Sequence, residues 1–491
     1  MPSSIYVTTN SNLVDIANSI RNKSGSQFSY LYTNDYISII NSLGQFSDYD
    51  IIMKEKFAHL KSNTSYIPFG AFADFPTIDV SFPVCSYIES DAFRNCASLS
   101  LINFPVCGYI GSGAFQDCPS LTSADFPACS YIGSGAFQGC TSLTSANFPA
   151  CSYIGSDAFG YCYSLTSVSF PTCSYIGSYA FLSCLSLDSI SFPACSYIGD
   201  YAFRYCSSLS EINFPLCSYI SNEAFGHCNH LTSVSFPTCR YIGSTAFIGC
   251  SELTSVNFPD CSYIVQYAFS SCYSLRTVNF PVCVFISNGV FRDCSALTSV
   301  SFPACSYIGD YAFKGCSSLA SAIFPACSYI GSSACENCYE LSLISFSSCV
   351  HIGSYAFKSC LALTSVSLPA CSYIGSSAFQ GCTSLLSIDL PTCSYIGRGA
   401  FGWCSSLATV SLPACSSIDY AAFYGCSYLM SLYLLGSSVV KLSNAGTFTS
   451  TPMSNAGYTG SYGSIYVPAS LLTTYKTTGS WNIYSARIVG I

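Results

Sequence analysis

The sequence predicts an α/β repeat solenoid of 22 residues per coil, with a parallel sheet on one face and short helical or 3₁₀ turns on the other. Three observations carry this reading. Cysteine recurs every 22 residues from Cys85 through Cys415, and a second series does the same from Cys96 through Cys426. The two series interleave at 11-residue steps, with no insertion or deletion between Cys85 and Cys426. Apolar residues keep fixed places within every period. A period held this strictly means coils of equal path length. Each coil is too small to bury its own apolar side, but stacked coils bury one continuous core.

The stretch from Leu165 to Leu187 shows how one coil is built. Leu165, Val168 and Phe170 fit the pattern L-x-x-L-x-L, a short strand with alternate residues facing inward. Pro171 removes a backbone donor and ends the strand. Cys173 and Ile176 point inward again across the corner. Gly177 allows a sharp turn, and Ser178 caps a helical turn through Ala180, Phe181 and Cys184. Leu187 begins the next strand. One interior stack of rings is expected from Phe93, Phe115, Phe137, Phe159 and Phe181.

Composition narrows the function. A chain of 491 residues is too long for one ordinary globular core but natural for an array that grows along one axis. Half of the residues are hydrophobic and 8% are charged. No purely apolar run reaches the roughly 20 residues of a membrane span, so no membrane insertion is expected. The net charge of −8, with no basic stripe, argues against nucleic acid as a partner. Residues 1–13, MPSSIYVTTNSNL, lack a basic segment followed by an apolar run, so no secretory signal is expected. The expected location is extracellular, on a cell surface or in a phage virion, reached without such a signal; the cytoplasm is the alternative.

Each coil resembles the BspA-like class of leucine-rich repeats. Ile198, Gly199, Ala202, Phe203, Cys206 and Leu209 match its I-G-x-x-A-F-x-x-C-x-x-L signature, and the match recurs in register over about residues 65–436. The family's unit is usually slightly longer than 22. The resemblance implies a leucine-rich-repeat fold and a surface protein that attaches to host proteins, cells or glycans.

The ends depart from the period. Residues 1–50 read as a helical hairpin: Leu13, Ile16, Ala17 and Ile20 give one apolar face, and Tyr36, Ile37, Ile40 and Leu43 another. This segment resembles N-terminal modules on repeat proteins of gut-type bacteria and their phages, which implies an attachment role. Residues 51–64 read as a linker. Residues 65–84 read as a worn capping repeat, in which Tyr66, Ile67, Ala71 and Phe72 fit but the cysteine is lost. About 16 coils fill residues 85–436. Residues 437–491 read as an irregular loop and a cap, with Ile465–Pro468 a strand, Leu471–Tyr475 a short helix and Trp481, Tyr484 and Ile488 following. This ending resembles the C-terminal cap of BspA-like proteins.

Candidate sites are weighed against structural roles. The two cysteine series have 16 members each and, with Cys335, account for all 33 cysteines. Stacked coils bring equivalent Cα atoms to about 4.8 Å, inside the disulfide range, but parallel side chains do not suit the roughly 90° dihedral. They read as small buried hydrophobes. Cys335-Glu336-Asn337-Cys338 is the sole C-x-x-C and lacks a second pair for zinc; His227-Cys228-Asn229-His230 fares no better. The four histidines sit in no recognisable triad, and no phosphate loop or H-E-x-x-H occurs. No catalytic residue, metal or cofactor is expected.

Two columns remain as binding candidates. The residue before the buried Ile is aromatic in nearly every coil, including Tyr131, Tyr153, Tyr175, Tyr197, Tyr219 and Tyr241; His351 and Ser417 break the run. These rings either form a ladder for stacking on sugars or protein side chains, or pack on each other to stiffen the corner. On the solvent side of the strands, Asp125, Asn147, Ser169, Asn213, Asn257, Asn279 and Asp389 occupy one column. Short polar residues there leave the face open to a ligand, or simply solvate it. The expected function is a non-enzymatic adhesin or receptor-binding protein with a protein or glycan ligand. The alternative is a scaffold joined to a larger assembly through its N-terminal module.

Overall fold

The computed structural model describes residues 64–74, 79–454 and 462–491. The expected helical hairpin and most of the expected linker lie outside these. The chain divides into two compact units, Met1–Leu231 and Thr232–Ile491. The 22-residue period runs through this division unchanged, so the sequence carries no signal of it.

Within each unit the coil has two strands, not one. In the first unit the strand Ser167–Ser169 pairs in parallel with Ser145–Asn147, as expected. Past Pro171, the Cys173 N–H closes the corner on the Phe170 carbonyl at 3.3 Å. The chain then forms a second strand, Tyr175–Ile176, paired in register with Tyr153–Ile154 and Tyr197–Ile198. This second sheet runs from Tyr66–Ile67 to Tyr219–Ile220 in the first unit and from Tyr241–Ile242 to Lys441–Leu442 in the second. It is the more regular of the two. The Ser-x-Ser sheet is interrupted: in the first unit it falls into sets that begin at Asp79, Ser123 and Ser189.

The expected helical or 3₁₀ face is a run of tight turns instead. In one coil, the N–H groups of Tyr179, Phe181 and Ser183 donate to Asp200, Ala202 and Arg204 of the next coil at 2.7–2.8 Å. Those of Ala180, Leu182 and Cys184 close turns onto Gly177, Tyr179 and Phe181 of their own coil. Tyr179 and Ser183 take left-handed backbone angles, φ 60° and 57°. A helix would need every amide to bond along its own axis. Here alternate amides are spent on the neighbouring coil, so no helix can propagate. Among the described residues, helix occurs only near the C-terminus, at Ala469–Leu471, Leu472–Thr477 and Gly479–Arg487. Gly177 is needed for a different reason than a turn. A Cβ there would sit 2.6 Å from backbone atoms of Gly155 and Ser156 in the preceding coil.

The core is built from two ring stacks. The expected stack is present: Phe137, Phe159 and Phe181 follow one another at 5.2 Å with planes within 5°. A second stack, Phe148, Phe170 and Phe192, runs beside it at 5.3–5.5 Å. The two meet edge to face, as Phe148 and Phe159 do at 5.9 Å and 71°. Offset stacking along the axis and T-shaped contact across it are both favoured by the ring quadrupole, and add to the burial term.

The second unit ends on a cap. Lys441–Leu442 and Phe448 continue the strand and ring columns, Phe448 lying 5.5 Å from Phe423. This further coil sits inside the stretch that reads as irregular loop, because two extra residues before Lys441 take it out of period. Ser464–Val467 pairs with Ser431–Tyr433, and Ile488–Gly490 pairs with Ser464–Val467. Trp481 donates from Nε1 to the Val440 carbonyl at 2.6 Å, while the Tyr475 hydroxyl accepts the Val440 N–H at 3.0 Å. Trp481 and Tyr484 cover the last ring of the stack, at 6.1 and 5.2 Å from Phe448. No helix among the described residues is long and apolar enough to cross a membrane.

Candidate functional site

The tyrosine column is a face-to-face stack. Tyr109, Tyr131, Tyr153, Tyr175 and Tyr197 follow at 4.8–4.9 Å with planes within 6°, and Tyr219 lies 5.5 Å beyond Tyr197. In the second unit Tyr241 is 5.7 Å from Tyr263. His351 does not break this run: it stacks between Tyr329 and Tyr373 at 4.7 and 4.6 Å. An imidazole is flat and close in size to a phenol, so it fits the column; burial pushes its pKa down, favouring the neutral ring. The run does stop at Ser417.

This spacing decides what the column offers. Each ring has its two faces against its neighbours, so a ligand meets edges and hydroxyls rather than open faces. Tyr131 and Tyr175 are pushed above the usual phenol value, first by burial and then by the neighbouring phenols. Their hydroxyls therefore stay protonated donors at neutral pH. Sugar stacking of the open-platform kind has no free ring face to use except at a column end.

The strand-face column is exposed along its length, as Asp125, Asn147, Asn213, Asn257 and Asn279 each show. Its members bind one another. Asn147 donates from Nδ2 to Asp125 at 2.8 Å, Asn213 to the Ser191 hydroxyl at 3.2 Å, and Asn279 to Asn257 at 2.7 Å. These bonds fix the amide planes before any ligand arrives. The two columns lie on different sheets, six residues apart around the proline corner, so the fold does not merge them into one site.

All 33 cysteines are buried free thiols. They are more specific than small hydrophobes. In one series the thiol donates to the carbonyl two residues on, as Cys173 does to Tyr175 at 3.2 Å. In the other it donates to the phenylalanine carbonyl of the preceding coil, as Cys162 does to Phe137 at 3.1 Å. Burial pushes Cys107, Cys151 and Cys195 up to about 12. A thiol held neutral in this way is neither nucleophile nor metal ligand. Among the described residues no group of three or more His, Cys, Asp or Glu could hold a metal ion.

A third surface feature escaped the sequence reading. On the turn face Tyr161, Tyr179, Tyr201 and Tyr205 all have left-handed backbones, φ 59–62°. Arg204 lies over the Tyr201 and Tyr205 rings, 5.4 and 4.6 Å from their centres, and pairs with Glu223 at 2.9 Å. Other coils fill these places with Gly113, Asp117, Gly135, Gly139 and Asp157. The available signal was a bulky ring where neighbouring coils place glycine or aspartate.

Comparison with known proteins assigns the class. The model of the BspA type leucine rich repeat region matches six times, jointly over residues 65–467, with copies at 65–187, 130–252, 174–298, 240–364, 284–392 and 350–467. The chain belongs to the BspA-type leucine-rich-repeat family. No functionally curated protein matches it in sequence. Among solved structures, a leucine-rich repeat protein from Bacteroides ovatus is 25% identical, covering 77% of this chain and 87% of that one, with a TM-score of 0.44. A leucine rich cell surface protein from Faecalibacterium prausnitzii is 23% identical, covering 72% and 87%, with a TM-score of 0.34. The family assignment rests on the repeat match and not on these superpositions.

Proposed function

We propose that this chain is a non-enzymatic adhesin or receptor-binding solenoid of a bacterial surface or phage particle, and that it recognises a host protein or glycan. The observation that carries this reading is the pair of surface columns. The core positions are nearly identical from coil to coil, whereas the exposed columns present pre-ordered hydroxyls and amides at strand spacing. Catalysis needs unlike groups converging on one point. Repetition of like groups along an axis suits an extended ligand, whose own repeat or surface can engage several coils at once. A nearly uncharged outer surface favours hydrogen bonding and ring-edge contact over electrostatic capture. Membership of the BspA-type repeat family supports this reading.

The test is binding of the folded protein to arrayed glycans and to host extracellular proteins. Reproducible, saturable capture of a glycan or protein class supports the reading. A blank result on both, with folded protein, contradicts it and favours a scaffold role.

A further inference from the structure

We propose that the groove at the break of the first unit's Ser-x-Ser sheet between Ser167–Ser169 and Ser189–Ser191 is a saccharide subsite, a reading that rests on the binding function above. The sheet set that begins at Ser123 ends with Ser167–Ser169, and the next set begins with Ser189–Ser191. In adjoining coils the phenylalanine N–H that follows the strand donates to the next coil: Phe148 to Ser169 at 2.9 Å, Phe192 to Asn213 at 3.0 Å. Phe170 makes no such bond to Ser191. The ladder is open at this step, as it also is between Leu101–Asn103 and Ser123–Asp125, and here a groove of about 330 Å³ lies over the opening, lined by Val168, Ser189, Ile190, Ser191, Glu211 and Asn213 together with Ile212. Its volume is at the lower end of the range for small-molecule sites, about 300–1,000 Å³.

The lining has the two-sided chemistry of a pyranose. Val168 and Ile212 are half-buried and Ile190 is buried, so together they give an aliphatic floor for a C–H face. Glu211 is exposed and has no ion-pair partner among the described residues, so its carboxylate is available to accept two neighbouring hydroxyls. The Asn213 amide is held by its bond to Ser191, which orients its remaining polar atoms. The Ser189 and Ser191 hydroxyls add donors and acceptors of either sense. No cation lines the groove, so phosphates, sulfates and acidic sugars are disfavoured. The interrupted ladder leaves Ser191 at the groove with a carbonyl that its neighbour Phe170 does not use. A neutral hexose or N-acetylhexosamine unit fits these features.

Saturation-transfer NMR with the full chain tests this, using the methyl glycosides of glucose, galactose, mannose and N-acetylglucosamine as probes. N-acetyl-lysine methylamide serves as a cationic control. At least one glycoside should receive saturation, and its binding should weaken about tenfold or more in both Glu211→Gln and Asn213→Ala. Both positions are exposed, so circular dichroism and melting should match the wild type. Tyr428→Ala, at an exposed position of the second unit outside both columns and the groove, should bind the same glycoside normally. No transfer to any glycoside, transfer unchanged by both groove variants, or preferential binding of the lysine probe each overturns the subsite. Array capture that survives Glu211→Gln while glycosides fail would discard the subsite and leave the binding function standing. A blank array with glycoside binding intact would do the reverse.

Discussion

The thiol of Cys184 donates to the carbonyl oxygen of Phe159, 3.2 Å away and 25 residues earlier in the chain. That oxygen also accepts the Cys162 N–H, at 3.3 Å. Each phenylalanine carbonyl in the turn run is thus shared by two successive coils, and the second bond is a side-chain one. Alanine would fill the space less well and give no donor. Serine would donate more strongly, but its shorter C–O bond pulls the hydrogen back from the carbonyl. Cys184→Ala should destabilise the protein by about 1–2 kcal/mol, from lost volume and one lost weak bond. Urea unfolding measures this, and an unchanged midpoint would mean that the bond contributes nothing.

Cys335 occupies the one place where the inner ring stack lacks its phenylalanine, between Phe313 and Phe357. Equivalent coils with the same path accommodate a ring there. Cys335→Phe should therefore restore the stack and raise the melting temperature. Phe181→Ala does the opposite within an intact stretch and should cost about 3–5 kcal/mol. Calorimetry of both variants checks the pair; a destabilised Cys335→Phe would show that this coil has closed around the smaller side chain.

The buried thiols make stability fall with alkali. Cys85 and Cys305 are pushed up to about 11, and Cys107, Cys151 and Cys195 to about 12, against about 8.5 for an exposed thiol. The unfolded chain therefore loses these protons first. Their contribution is fully present below about pH 8.5 and declines as pH rises from there toward the folded values. The urea midpoint should be level from pH 6 to 8 and drop steadily by pH 10. A level midpoint through pH 10 would mean that the thiols ionise alike in both states.

The same burial predicts thiol reactivity. Native protein at pH 7.5 should give almost no reaction with a disulfide reagent, whereas protein in strong denaturant should titrate all 33 thiols. Rapid reaction of many native thiols would contradict the packing of both series.

Much of this was legible in the sequence because a 22-residue period fixes coil length, and inward positions repeat at Ile, Phe, Cys and Leu. The first strand, the corner at Pro171 and the Phe93–Phe181 stack follow from that. Three features did not. The turn run reads as helical in sequence because Gly177, Ser178, Ala180 and Phe181 suit a helix start, and nothing local says that alternate amides leave for the next coil. The Tyr175–Ile176 strand is too short to show a period of its own. The extra coil at Lys441 is hidden by its added residues. Among the candidate sites, the tyrosine and asparagine columns could be named from periodicity. Their spacing, and hence the covering of the tyrosine faces, needed coordinates.

In the proposed function the outer columns bind while the core only holds them in place. The most direct measurement is capture on the glycan and host-protein arrays by four proteins: the wild type, Tyr153→Ala/Tyr175→Ala, Asn147→Ala/Asn213→Ala, and Cys184→Ala as a core control. At least one surface pair should lose capture by tenfold or more while melting like the wild type, and Cys184→Ala should melt lower yet bind normally wherever it is folded. Equal capture by all four would contradict the assignment of binding to these columns.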